Sequence, residues 1–78
     1  MEIKELMGKN VTVFCMNYIY AGTLTAISDG FIALKNAAVV YVTGPFTNSH
    51  FTEAEKLPNP LYISIRAIES ITTLKAKV

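Results

Sequence analysis

The spacing of apolar positions along the chain changes once, near the N-terminus. In residues 2–7 the apolar side chains stand three and four positions apart, which predicts a short helix with one apolar face. Gly8 follows this segment, and glycine tolerates the left-handed conformation in which many helices end. From Asn10 onward the apolar positions recur with a period of two, so we predict that the rest of the chain forms β-strands.

Five strands are predicted after the helix, because alternating and β-branched stretches are separated by turn signals. Ser28-Asp29-Gly30 is such a signal, and Gly22 inside the second strand marks a sharp bend. Only Ala67 separates the last two strands, so the chain has to turn sharply there. The predicted strands are residues 11–16, 20–27, 31–43 with a break or bulge at Asn36, 61–66 and 68–74.

Residues 44–60 are predicted to form a long loop, since prolines lie near both of its ends. One helical turn is expected within it, at residues 52–55. Loops longer than about 12–15 residues are usually functional or disordered, so a protein partner could dock on this one.

One domain, residues 1–78, is expected from the length of the chain. The predicted fold is all-β: the short helix is followed by a strongly bent, five-stranded antiparallel barrel, in which closure removes exposed strand edges. A domain of this size buries only about 60% of the surface of its unfolded chain, and the single cysteine, Cys15, excludes an internal disulfide. Oligomerisation is therefore expected to add stability, and a charged fraction of only 17% leaves apolar surface for an interface.

Composition and charge narrow the possible functions. A net charge of +1 predicts that any nucleic acid is held by a local site, because the field of the whole chain is weak. Cys15 and His50 are the only soft-ligand side chains, so neither a metal site nor another cofactor is expected. His50 lies beside Ser49, yet nothing in the sequence places a pocket or an orienting group for a catalytic base, and we do not expect an enzyme.

The sequence also predicts a cytoplasmic location. The charged N-terminus lacks the apolar stretch of a signal peptide, and the apolar runs are shorter than the roughly 20 residues of a membrane span. A lone thiol fits a reducing compartment.

Three segments resemble the Sm-like family of proteins. Residues 6–13 look like the helix end and first strand of that family. Residues 22–37, which open with Gly-Thr-Leu and close with Leu-Lys-Asn-Ala, resemble its first sequence motif and are similar to bacterial Hfq in ending this strand with Leu-Lys-Asn. Residues 65–71 resemble the second motif, Ile-Arg-Gly followed by a second Ile. The resemblance covers nearly the whole chain except the loop at 44–60, and it fits a divergent bacterial or phage-type member.

The resemblance implies a homo-oligomeric ring that binds RNA. In the family, the fourth strand of one subunit pairs with the fifth strand of the next, and roughly five to seven subunits close around a pore. Single-stranded RNA binds at the pore-facing loops between the second and third strands and between the fourth and fifth. In this chain those loops carry Asp29, Phe31, Arg66 and Ala67, which are the candidate RNA-binding residues.

Both loops depart from the family pattern, so each candidate residue has a second interpretation. The base-binding Asn of the first loop is missing, and Ala67 replaces the family's Gly. Arg66 could contact a base or a phosphate, or it could pair with Asp29, which would then be a turn residue. Phe31 could stack on a base or lie in the core.

Two functions remain open at this stage. The first is a ring that holds single-stranded, uridine-rich RNA at its pore. The second is a ring-shaped scaffold that docks a protein on the 44–60 loop and binds no nucleic acid.

Four tyrosines are a further candidate feature. Aromatic side chains with one polar tip are favoured at interfaces, whereas strand propensity alone would also place them in this chain. At least one is expected at an interface. They are Tyr18, Tyr20, Tyr41 and Tyr62.

Overall fold

Six antiparallel strands form one sheet, seen in a computed structural model that describes residues 2–73. The predicted all-β class is confirmed. The only helical segments among the described residues are two 3-10 turns, Ile3–Leu6 and Ile65–Ala67. The strands are β1 (Asn10–Cys15), β2 (Ile19–Ser28), β3 (Phe31–Val42), β4 (Glu53–Lys56), β5 (Leu61–Ser64) and β6 (Ile68–Thr72).

The long strand β3 organises the sheet. The order of strands is β4-β3-β2-β1-β6, and β5 pairs with β3 beside this path. Residues 31–34 of β3 pair with β5, and residues 38–42 pair with β4. The sheet does not close, so the predicted closed barrel is not confirmed. Within residues 2–73, one edge each of β4, β5 and β6 therefore has no strand partner.

The core lies on one face of the strands, where alternate side chains from β1, β2, β3 and β5 meet. Val11 and Val13 of β1 point to the same side because successive side chains of a strand alternate. Thr12 faces the other way and is also buried, so β1 is covered on both sides at this residue. The buried cluster consists of Val11, Val13, Leu24, Ile32, Leu34, Ala37 and Ile63.

The pairing of β2 with β3 is irregular at two places, one of which lies at Gly22. The pairing register between them shifts around Gly22, and a Cβ atom there would lie 3.0 Å from the Lys35 carbonyl oxygen and 3.1 Å from the Ala37 Cα. Across from it, Asn36 has a φ of 53°, the left-handed region that Asn tolerates better than most residues. The predicted bend at Gly22 and the predicted break at Asn36 are thus two sides of the same irregularity.

Three local predictions were wrong. The predicted helix at 2–7 is a single 3-10 turn, because the chain joins the sheet at once through hydrogen bonds between Gly8 N and Leu24 O and between Leu24 N and Lys9 O. The predicted helical turn at 52–55 is instead the strand β4, which pairs with β3. The break between the last two strands is a three-residue 3-10 turn and not Ala67 alone.

The remaining boundaries follow the predictions closely. The long connection at 44–60 is interrupted by β4, so its two irregular parts are shorter than predicted. The predicted end of the last strand, Leu74, lies outside the described residues.

Candidate functional site

Two turns that are far apart in sequence lie against each other at one end of the sheet. The backbone N–H of Ile65 donates a hydrogen bond to the Gly30 carbonyl, with an N–O distance of 2.8 Å. The same junction pairs Phe31 with Ser64. We call residues 28–31 and 65–67 the paired turns. They contain all four candidate residues predicted from the sequence.

The side chains of the paired turns are open to solvent. Phe31 is 50% exposed, because the alternation of β3 turns its neighbour Ile32 into the core. Asp29, Arg66 and Ala67 are exposed as well. Within residues 2–73 the ion pair found joins Lys4 to Glu2, and none joins Arg66 to Asp29. The guanidinium of Arg66 is therefore available to a ligand.

A groove of about 490 Å³ borders the β5–β6 turn, and we call it the arginine groove. Its walls come from the β1–β2 turn, the start of β2, and β5. Arg66 is the one charged side chain in this lining, and Tyr62 is 68% exposed. The rings of Tyr18 and Tyr20 lie 6.1 Å apart beside it. The lining residues are Cys15, Met16, Asn17, Tyr18, Tyr20, Leu61, Tyr62, Ile63, Ser64, Arg66 and Ala67.

A second groove, of about 390 Å³, also has the β1–β2 turn as a wall, and we call it the glutamate groove. Its other walls come from β1, from the end of β3 and from β6. Glu69 is the one charged side chain in this lining. The lining residues are Phe14, Cys15, Met16, Asn17, Tyr18, Ile19, Val40, Tyr41 and Glu69.

The local environments shift the acidity of groups in both grooves. Burial raises the pKa of the Cys15 thiol, which lines both. Burial is also the main reason that the pKa of Tyr20 is raised, with smaller effects from Cys15 and Tyr18. The pKa of Tyr41 is raised mainly because its hydroxyl donates a hydrogen bond to Glu55 Oε1 at 3.0 Å, and the charge of Glu55 adds to this.

The chemistry of the remaining polar side chains is limited by their exposure. Ser49 Oγ and His50 Nδ1 are 2.9 Å apart, which is hydrogen-bonding distance. Both residues are exposed, whereas a catalytic pair needs a third group to orient the base. Among the described residues, His, Cys, Asp and Glu side chains do not gather in groups of three or more that could hold a metal ion.

Comparison with known proteins finds no family model that matches the chain and no curated protein with significant similarity to it. In the part of the chain that the structure describes, neither helical turn has the length of a membrane-spanning helix.

Sequence reasoning missed Glu69 and found the tyrosines only as a group. Tyr18 lines both grooves, while Tyr62 and Tyr41 line one each. Tyr18 lies between the first two predicted strands, residues 11–16 and 20–27. A large aromatic side chain in so short a connection is the signal that could have singled it out. Glu69 had no such signal, because an acidic residue on an alternating strand usually faces solvent.

Proposed function

We propose that this protein is an Sm-like subunit that assembles into a homo-oligomeric ring and binds single-stranded RNA at the paired turns. The observation that carries the proposal is the hydrogen bond between Ile65 N and Gly30 O. It puts Arg66 and Phe31 in neighbouring turns, although 34 residues of chain separate them. The resemblance to the Sm-like family associates this pair of loops with RNA.

The ring is supported by the open edges of β5 and β6. Each strand offers unpaired N–H and C=O groups on one side, at least among the described residues. An unpaired edge is a template for another strand. Because the two edges differ, pairing β5 of one copy with β6 of the next gives a head-to-tail contact that repeats until it closes.

RNA binding is supported by the exposure and chemistry of the paired turns. The ring of Phe31 is half exposed and can stack on a base, which is how many proteins hold single strands without strict sequence preference. The planar fork of Arg66 can take a phosphate or a base edge. In a ring these groups recur once per subunit, so the potentials of several arginines add locally although each chain carries only +1.

The test is to replace Arg66 by alanine and measure binding of a fluorescein-labelled oligouridine by anisotropy at a stated salt concentration. We expect the affinity of Arg66→Ala to fall by about tenfold or more, because a charge-assisted hydrogen bond is lost from each subunit. Lys56→Ala is the matched control. Lys56 is an exposed cation on β4, which pairs with the half of β3 that lies away from the paired turns, and its loss should change affinity little.

Light scattering on both variants shows whether the ring survives. A stable monomer at micromolar concentration would contradict the ring. If the wild-type ring fails to bind oligouridine even at low salt, the scaffold function replaces RNA binding. If Arg66→Ala breaks the assembly, Arg66 is an architectural residue.

A further inference from the structure

The glutamate groove combines one carboxylate, Glu69, with the aromatic side chains of Phe14, Tyr18 and Tyr41. Glu69 of β6 lines the groove, and Tyr41 of β3, which also lines it, donates a hydrogen bond to Glu55. Glu53 pairs with Val42, the residue that follows Tyr41 on β3. Three carboxylates are thus associated with one groove.

The geometry of β4 keeps its positive charge away from this groove. Glu53 and Glu55 are two residues apart, so they point to the same face of the strand. Lys56, the next residue, points to the opposite face and pairs with Ala38. Within residues 2–73, none of the three glutamates takes part in an ion pair. Their negative charge is therefore available to a partner.

Three aromatic side chains of this region are more than half exposed. Tyr18 is 54% exposed and Tyr41 is 53% exposed. Phe46 packs edge-to-face on Phe14 of the groove wall, with ring centroids 6.2 Å apart, and remains 59% exposed. Faces of aromatic rings attract ammonium and guanidinium groups, and a nearby carboxylate adds to that attraction.

We propose that the glutamate groove docks a basic protein segment, with a lysine or arginine side chain of the partner lying between Tyr18 and Tyr41 and pairing with Glu69. The groove volume of about 390 Å³ lies within the range of sites that bind small groups. Ile19 and Val40 of the lining suit the apolar stem of such a side chain. RNA is the less suitable occupant, because its phosphates would be repelled by the carboxylates.

This proposal does not depend on RNA binding, since it concerns a different groove with the opposite charge. The test is anisotropy of a fluorescein-labelled peptide Lys-Leu-Arg-Leu-Lys titrated with the intact protein at a stated salt concentration. The same peptide with glutamate at the three basic positions is the ligand control and should not bind.

Glu69→Gln should weaken binding of the basic peptide by about threefold or more, and Tyr41→Leu should have a similar effect because an exposed aromatic face is lost. Both residues are exposed, so neither substitution should prevent folding. Asp29→Asn removes the same charge from an exposed turn outside the groove and is the matched control. Its affinity for the peptide should equal that of the wild type.

The proposal would be overturned by equal losses in Glu69→Gln and Asp29→Asn, since attraction would then be a property of the whole surface. It would also be overturned if the wild-type protein showed no saturable binding of the basic peptide. The same holds if oligouridine displaced the peptide from the wild-type protein and the Glu69→Gln substitution abolished this displacement. Unchanged oligouridine affinity in Glu69→Gln would support two separate sites, whatever the outcome for Arg66→Ala.

Discussion

The arginine groove and the glutamate groove share the β1–β2 turn as a wall, and Tyr18 lines both. They differ in the one charged side chain that each contains: Arg66 in the first and Glu69 in the second. These residues lie only three positions apart, on either side of the point where the β5–β6 turn becomes β6. A net charge of +1 therefore conceals two adjacent grooves whose charged side chains have opposite sign. What a nearly neutral protein can bind depends on where its few charges lie, because charge acts mainly within about a Debye length.

Both grooves depend on one folded sheet, and Gly22→Val would destabilise that sheet. A valine would press on the backbone at Lys35 and Ala37, which cannot move aside as a flexible side chain could. We expect the free energy of unfolding to fall by about 1–3 kcal/mol, the usual cost of overpacking. Denaturant unfolding measures this loss, and both ligand-binding activities should weaken together.

Gly30→Ala is the control for the effect of glycine replacement itself. Gly30 has a φ of 90°, but a Cβ there would meet no atom within 4 Å, so only backbone strain of about 1 kcal/mol is expected. If Gly22→Val unfolds at the same denaturant concentration as the wild type, the close approach at the bend does not limit this position.

A smaller effect is expected on the pKa of Tyr41 when its contact with Glu55 is removed. The pKa of Tyr41 is raised above its ordinary value of 10.0, first by the hydrogen bond to Glu55. The contribution of this contact to stability is thus fully present below the pKa of the unfolded chain and is lost as the pH rises through the higher pKa of the folded state. Glu55→Gln should move the Tyr41 titration back towards 10.0.

Ultraviolet absorbance of tyrosinate follows this titration, and subtracting the curve of Tyr41→Phe assigns it to Tyr41. An identical Tyr41 titration in wild type and Glu55→Gln would mean that the contact with Glu55 does not set the acidity of Tyr41.

The smallest expected effect is on the reaction rate of the Cys15 thiol, which lines both grooves. Burial raises the pKa of its thiol, so less thiolate is present at a given pH and an aromatic disulfide should react more slowly than with a free cysteine. Oligouridine and the basic peptide should each slow the reaction further by covering a different side of the thiol. The rate is measured from the released chromophore. Protection by only one of the two ligands would show that the other ligand does not occupy the groove beside Cys15.

The local features of this fold could be predicted from the sequence. Strand alternation from Asn10, the Ser28-Asp29-Gly30 turn and the irregularity at Gly22 and Asn36 each depend on residues near one another in the chain. Alternation and turn chemistry are local constraints, so they act before any distant contact forms. The all-β class followed from them, as did the position of Asp29 in a turn.

Only the tertiary structure decided which segments meet. Residues 52–55 have a helical appearance in isolation, yet they form a strand because the second half of β3 offers hydrogen-bonding groups that a helix would leave unpaired. The exposure of Phe31 follows from the register of β3 against β5. The contact between the paired turns follows from a single long-range hydrogen bond, from Ile65 N to Gly30 O. Glu69 became a site candidate only when β6 was placed beside β1, next to the end of β3. Pairing between distant strands is set by the burial of the whole core, and no local pattern in the chain contains that information.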